Sequence, residues 1–330
     1  MNAFSYQRVD SADAAVRAAQ RPGAMFIGGG TNLLDLVKSD IEHPSVLIDI
    51  NRIGDLAAIE TLPDGRLRIG ALARNSDMAA HPGIRRRYPL LTEAIVAGAS
   101  QQLRNMATAG GNLMQRTRCY YFVDSAFGRC NKKKPGSGCA AIDGVNRMHA
   151  IFGASSRCIA VNPSDMSVAL AALEATVRVR GPDGERSIAM ADFHRLPGEH
   201  PEKDTTLRQG ELITAIELPT QGFAEHSHYL KVRDRASYAF ALVSVAAALE
   251  LDQGGIVKTA RIALGGVAPK PWRVYETEKA LIGKTLTPQT LDDAAAAAVT
   301  DAKAYRDNAF KIGLARRAIV RAVDTAAGVA

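Results

Sequence analysis

Two small-residue turns constrain what this chain can fold into. Gly28-Gly29-Gly30-Thr31-Asn32 follows the buried-strand pattern Ala24-Met25-Phe26-Ile27 and enters an amphipathic helix pattern. Far along the chain, Thr108-Ala109-Gly110-Gly111-Asn112 offers a second turn of the same kind. Each can bring successive backbone N–H groups against an anion, the first ahead of a helix N-terminus. The Rossmann fingerprint requires Gly-x-Gly-x-x-Gly, and counting from Gly28 the sixth place is Leu33, so that reading fails. Gly283-Lys284-Thr285 looks like the end of a Walker A loop, yet the earlier glycine position holds Glu278, so it fails as well. Taken alone, the glycine triplet reads equally well as a tight strand-to-helix turn. Two such loops together fit a pyrophosphate clamped from both sides, as in a dinucleotide such as FAD.

The 330 residues are too many for one ordinary domain and enough for two, each with its own core. The net charge of +7 raises the question of nucleic acid. Arg85-Arg86-Arg87 and Lys132-Lys133-Lys134 are the only basic runs, and aromatics make up 5%. A basic face interleaved with stacking aromatics is missing, so no nucleic-acid partner is expected. The N-terminal residues show no charged region followed by an apolar stretch, and no apolar run approaches membrane-spanning length. Synthesis as a soluble cytoplasmic protein is expected, with a periplasmic location only through co-export with a signal-bearing partner.

Turn residues divide the rest. Ser11 can cap an alanine-rich helix reaching Gln20, and strands are expected at residues 4–8, 24–27, 46–50 and 67–72. A helix is expected over residues 89–97 and another over 165–174. Gly181-Pro182-Asp183-Gly184 between two alternating runs is a hairpin signal, and residues 211–218 read as a strand ended by Pro219. Thr220-Gln221-Gly222 is the expected boundary, giving domains over residues 1–220 and 225–330. In the second, strands are expected over residues 229–233, 240–250 and 261–267, covered by helices over 276–281, 288–302 and 310–326.

Cys119, Cys130, Cys139 and Cys158 are the only cysteines, and all lie in one stretch at about residues 114–160. Four thiolates are what a cubane cluster requires. No Cys-x-x-Cys pair is present, so neither a zinc ribbon nor a bacterial ferredoxin motif is supported. From spacing alone a metal site, disulfides and free buried thiols all stay open. Acid–base candidates are few: no histidine pair beyond His226-x-His228 has ligand spacing, and no catalytic residue is expected. Asp165 at a helix start can accept from backbone N–H groups or a ribose hydroxyl, and Lys231 can place a charge near a phosphate or flavin. Tyr120, Tyr121 and Tyr238 are candidates to pack on an aromatic ring system.

These residues resemble a known family. Phe26-Ile27-Gly28-Gly29-Gly30-Thr31-Asn32-Leu33 resembles the first FAD loop of the flavoprotein subunits of the molybdenum hydroxylases, which include xanthine dehydrogenase and carbon monoxide dehydrogenase. Gln102-Leu103-Arg104-Asn105-Met106-Ala107-Thr108-Ala109-Gly110-Gly111-Asn112 resembles their second loop over a longer and more specific string. Asn162-Pro163-Ser164-Asp165-Met166 looks like a later flavin-contacting segment, and Gly210-Glu211-Leu212-Ile213 like the strand closing their FAD domain. Lys231-Val232-Arg233 and Gly265-Gly266-Val267-Ala268-Pro269-Lys270-Pro271-Trp272-Arg273 are similar to their C-terminal domain. The cysteine-bearing stretch departs from the ordinary pattern. It is similar to the insert in the FAD subunits of bacterial periplasmic aldehyde oxidoreductases, where the insert is associated with an additional [4Fe–4S] cluster.

The resemblance implies an α+β fold: a two-lobed FAD-binding domain of the vanillyl-alcohol-oxidase/PCMH type, then a C-terminal α+β domain like that of carbon monoxide dehydrogenase flavoprotein. It implies FAD held by residues 26–33 with Leu34, Thr108, Ala109, Gly111, Asn112, Asp165, Ile213 and Lys231, and a [4Fe–4S] cluster on the four cysteines. It also implies partners: a small [2Fe–2S] subunit that delivers electrons and a large molybdenum-cofactor subunit where an aldehyde is oxidised. An external acceptor would take the electrons from FAD. The residues alone leave two alternatives, a self-sufficient FAD-dependent oxidase with its own substrate pocket, and a zinc-stabilised binding module.

Overall fold

The computed structural model describes residues 2–328. Strands β1 (Ser5–Arg8), β2 (Ala24–Ile27) and β3 (Val46–Asp49) form a parallel sheet in the order β1-β3-β2. Parallel neighbours need crossovers, and helices supply them. Helix Ala12–Ala18 starts where the Ser11 hydroxyl accepts from the Ala14 N–H, and it ends two residues before the expected Gln20. Helix Leu33–Lys38 makes the second crossover. Ala15, Val16, Val46 and Ile48 close the small core of this lobe.

The second sheet is antiparallel, in the order β4-β5-β8-β6-β7, from β4 (Ile59–Thr61), β5 (Leu67–Gly70), β6 (Thr176–Gly181), β7 (Gly184–Ala189) and β8 (Leu212–Leu218). β6 and β7 form the expected hairpin, with Gly184 at φ +103° permitting the turn. Helices Pro89–Ala97 and Asp165–Ala172 pack over this sheet through Leu90, Leu91, Leu170 and Leu173.

The third sheet is antiparallel, in the order β12-β11-β10-β9, from β9 (Ser227–Val232), β10 (Val243–Leu251), β11 (Val257–Gly265) and β12 (Trp272–Arg273). β10 is buried on both faces. Val243, Val245, Ala247 and Leu249 face helices Tyr275–Leu281, Pro288–Ala297 and Phe310–Ala327, while Ala246 and Ala248 belong to the core of the second sheet. Small side chains on that face let helix Asp165–Ala172 approach closely. The architecture is the expected mixture of helix and sheet. Residues 114–160 carry only two one-turn helices, Tyr120–Val123 and Ala140–Asp143, and close a small core of Phe122 and Cys130 against Leu36. Among the described residues no helix is long and apolar enough to cross a membrane.

Candidate functional site: a dinucleotide cavity beside four cysteines

The first glycine turn leaves the end of β2 and passes beneath the segment before Thr108. A Cβ on Gly29 would stand 1.9 Å from the Met106 carbonyl oxygen, so only glycine fits there. Gly30 adopts φ +71°, which again favours glycine. The turn is fixed from behind: the Asn51 amide donates to the Gly28 carbonyl at 3.0 Å and to Asp49 Oδ1 at 2.7 Å. Among the described residues, no N–H of residues 28–32 finds an acceptor. Helix Leu33–Lys38 is six residues long, too short to add much macrodipole, so these N–H groups are what remains for an anion. Asn32 accepts at Oδ1 from the Arg116 N–H at 3.0 Å, and its Nδ2 is buried without a partner. An orphaned buried amide beside a row of free N–H groups is what a bound pyrophosphate would satisfy.

The second loop differs from a bare N–H cradle. The Ala109 N–H donates to the Ala73 carbonyl and the Gly110 N–H to the Ala71 carbonyl, while Thr108 Oγ1 accepts from the Gly111 N–H. The N–H groups of residues 109–112 are engaged within the fold, so most of the loop contributes a wall. Asn112 Oδ1 accepts from the Ser164 hydroxyl at 2.7 Å, tying this loop to the start of helix Asp165–Ala172.

A cavity of about 400 Å³ lies between the loops. Phe26, Ile27, Gly28, Gly29, Gly30, Thr31, Asn32, Leu33, Thr108, Gly111 and Ile213 all line it. Leu34 packs behind Gly30 and Ala109 lies in the core. The sequence reading missed Met114, Arg116 and residues 207–211 along the same wall. Of these, Arg116 reads from the sequence as a cation that could offset a cluster on the cysteines, whereas it stands in the wall of the larger cavity.

Asp165 and Lys231 meet each other. Lys231 Nζ lies 2.7 Å from Asp165 Oδ2, with both side chains buried, and the Tyr229 hydroxyl donates to Asp165 Oδ1 at 2.7 Å. Asp165 lines a second cavity of about 80 Å³ that also touches Cys119, Tyr120, His149 and Ser164. Tyr120 and Tyr238 are exposed, and the Tyr121 hydroxyl accepts from the Val145 N–H.

All four cysteines are free thiols, with no disulfide among them. Cys130 and Cys139 face each other across an antiparallel bridge. Burial pushes the Cys119 thiol up to about 12, with Cys158 and Cys130 adding to it. Burial likewise pushes Cys158 to about 11, Lys132 opposing and Cys139 and Cys130 adding. Each of these thiols thus feels its neighbours' charge. Among the described residues, no group of three or more His, Cys, Asp or Glu side chains closes on the position of one metal ion. A single zinc requires that, with sulfurs about 2.3 Å from the metal. A cubane spreads its thiolates over separate irons and has no such need.

His149 Nε2 stands 3.1 Å from Cys119 Sγ, and burial pushes its pKa down to about 4. Behind it, the fully buried Lys311 donates to the carbonyls of His149 at 3.0 Å and Gly266 at 2.7 Å. Burial, with Arg147 adding, lowers Lys311 to about 7 from 10.5. The unfolded chain then holds a proton that the folded chain releases between those values, so stability rises with pH across that window. Replacing Lys311 with methionine should remove this slope, which is at most about 1.4 kcal/mol per pH unit. Thermal melts of both proteins from pH 6 to pH 10 check it: the wild type should gain on the variant as pH rises, and parallel curves would refute it.

The fold and site define a dinucleotide-binding protein with an added thiol cluster. A family model described as the FAD binding domain in molybdopterin dehydrogenase matches residues 2–221, and one for the CO dehydrogenase flavoprotein C-terminal domain matches residues 228–326. The aldehyde oxidoreductase FAD-binding subunit PaoB of Escherichia coli (strain K12) is 51% identical over 97% of this chain and 96% of its own. The glyceraldehyde dehydrogenase medium chain of Sulfolobus acidocaldarius is 30% identical over 88% of this chain and 85% of its own. Among solved structures, carbon monoxide dehydrogenase from Hydrogenophaga pseudoflava aligns with a TM-score of 0.77 at 26% identity, covering 99% of this chain and 98% of that one. The chain belongs to the FAD-binding flavoprotein subunits of the molybdenum hydroxylases, the xanthine dehydrogenase family.

Proposed function

We propose that this chain is the electron-transfer subunit of a molybdenum-dependent aldehyde oxidoreductase and carries both FAD and a [4Fe–4S] cluster. The aldehyde is oxidised on a large molybdenum-cofactor subunit, a small [2Fe–2S] subunit delivers the electrons, and an external acceptor takes them away. The observation that carries this reading is four free cysteines in one insert, whose small core shares Leu36 with the wall of the FAD cavity, in a chain half identical to an aldehyde oxidoreductase FAD-binding subunit. FAD and the cluster supply the redox chemistry when bound, and the protein supplies binding, orientation and electrostatics.

The N–H groups of residues 28–32 and the Asn32 amide hold the pyrophosphate, with Thr108, Gly111 and Ile213 as walls. Cys119, Cys130, Cys139 and Cys158 hold the cluster. The raised thiols of Cys119 and Cys158 mean that metal must displace protons there, and the negative charge then left on the sulfurs is offset by Lys132, whose cation already reaches Cys158. Arg118, held against Asp35 and over the Phe240 ring, adds a second cation at the edge of the smaller cavity.

Anaerobically purified protein should show flavin bands over a broad iron–sulfur absorption, with about four irons per chain. Cys119→Ser should lose the iron and keep bound flavin. Colourless, iron-free wild type would sink the proposal. Loss of flavin together with iron in the variant would show that the insert holds the fold rather than a separable redox group.

A further inference from the structure

The segment from residue 198 to residue 211 runs first over the cysteine insert and then along the FAD cavity. The Gly198 carbonyl accepts from the Ser155 hydroxyl at 3.0 Å, Glu199 pairs with Arg157 at 2.7 Å, and the Pro201 carbonyl accepts from Lys132 Nζ at 2.7 Å. From Thr205 onward the same segment lines the dinucleotide cavity. Asp204 stands at the changeover. One carboxylate oxygen pairs with Lys132, which belongs to the turn following Cys130, and the other pairs with Arg116 at 2.8 Å. Burial raises the Asp204 pKa, and Lys132 and Arg116 together more than reverse this.

Arg116 in turn reaches the first FAD loop. Its backbone N–H donates to Asn32 Oδ1, its guanidinium pairs with Glu42, and it lies 4.7 Å from the centre of the Phe122 ring. Phe122 shares a core with Cys130 and with Leu36, from the helix that follows the glycine turn. Among the described residues, Asp204 is therefore the one acid that touches both the cation beside the cysteines and the cation that places Asn32.

We propose that Asp204 is a positioning residue coupling the FAD cavity to the four-cysteine site, so that filling either site tightens the other. Metal on the thiolates fixes the turn after Cys130 and with it Lys132. Lys132 fixes Asp204, Asp204 fixes Arg116, and Arg116 presents the Asn32 amide to the pyrophosphate. Coupling between two binding sites is reciprocal, so bound FAD favours retention of metal by the same factor. Neutralising Asp204 leaves Lys132 and Arg116 without the charge between them and cuts the path. This inference rests on the reading that the cysteines hold a cluster.

The test uses the purified full chain without its [2Fe–2S] partner, so that the only iron is that on the four cysteines, with FAD affinity read by flavin fluorescence before and after iron is removed by oxidation and chelation. In the wild type, iron removal should weaken FAD binding by about tenfold, within the usual range for coupled sites. In Asp204→Asn, FAD should bind more weakly at the outset, and iron removal should change it by less than about twofold. The same factor in both proteins would overturn the coupling through Asp204. An iron-loaded wild type whose FAD affinity ignores iron removal would overturn the coupling and leave the cluster reading standing, whereas an iron-free wild type would overturn both. Should Asp204→Asn fail to fold, Lys132→Met makes the same comparison at equal iron content, measured alongside because Lys132 also faces Cys158 and the Pro201 carbonyl.

Discussion

Gly29→Ala protein should leave purification with little flavin, its affinity for FAD lowered about 100-fold. The added Cβ would sit 1.9 Å from the Met106 carbonyl oxygen, so the two backbones must part by more than an ångström. Neither side yields cheaply. The Met106 carbonyl accepts from the Arg74 guanidinium, and the next carbonyl, of Ala107, accepts from the Asn75 N–H at 2.9 Å. On the other side Asn51 holds the Gly28 carbonyl. The turn is pushed into the cavity where its N–H groups should receive the pyrophosphate. Overpacking of this kind costs about 3 kcal/mol, and each 1.4 kcal/mol is a factor of ten in affinity. Gly28→Ala is the control: its Cβ meets only the side chains of Leu72 and Thr108, at 3.2 Å, and should cost far less. The flavin-to-protein absorbance ratio of the two variants checks this. Full flavin in Gly29→Ala would show that the pyrophosphate lies elsewhere.

The contrast between the two loops shows what a sequence can carry. The first turn was legible because three glycines after a strand are a local backbone statement, and the residues around it do line the cavity. The second was legible as a family string but misread as an N–H cradle. The acceptors for Ala109 and Gly110 are carbonyls of Ala73 and Ala71, which no local pattern could pair with them. Element positions followed the same rule. The β6–β7 hairpin and helix Pro89–Ala97 are bounded by glycine and proline and stood where expected. The helix expected over residues 288–302 ends at Ala297, since a run of alanines signals helix without signalling where it stops. Strand β4 has three residues and no alternation long enough to register. Asp204 was invisible for the reason that makes it informative: its partners lie 72 and 88 residues away.

Asp165 and Lys231 were both read as FAD ligands, and their geometry turns that reading into a measurement on flavin-free protein. Their side chains are 8% and 4% exposed, 2.7 Å apart, with the Tyr229 hydroxyl completing the Asp165 shell and the Ala97 carbonyl accepting from Lys231 at 3.1 Å. A buried pair stripped of one member leaves an uncompensated charge, at a cost of about 3–5 kcal/mol. Asp165→Asn and Lys231→Met should each lower the melting temperature of the flavin-free chain by about 10 °C, at roughly 2–4 °C per kcal/mol. The double variant removes both charges, so its loss should fall short of the sum by about 2 kcal/mol or more, as for residues in direct contact. If these side chains serve FAD alone, the flavin-free variants should melt with the wild type and only the flavin-loaded ones should differ. The pair joins the start of helix Asp165–Ala172 to β9, so its loss also loosens the seam between the FAD-binding part and the C-terminal sheet. That places the cost in the fold itself, and a flavin defect in any of these variants should follow the melting temperature of its flavin-free chain.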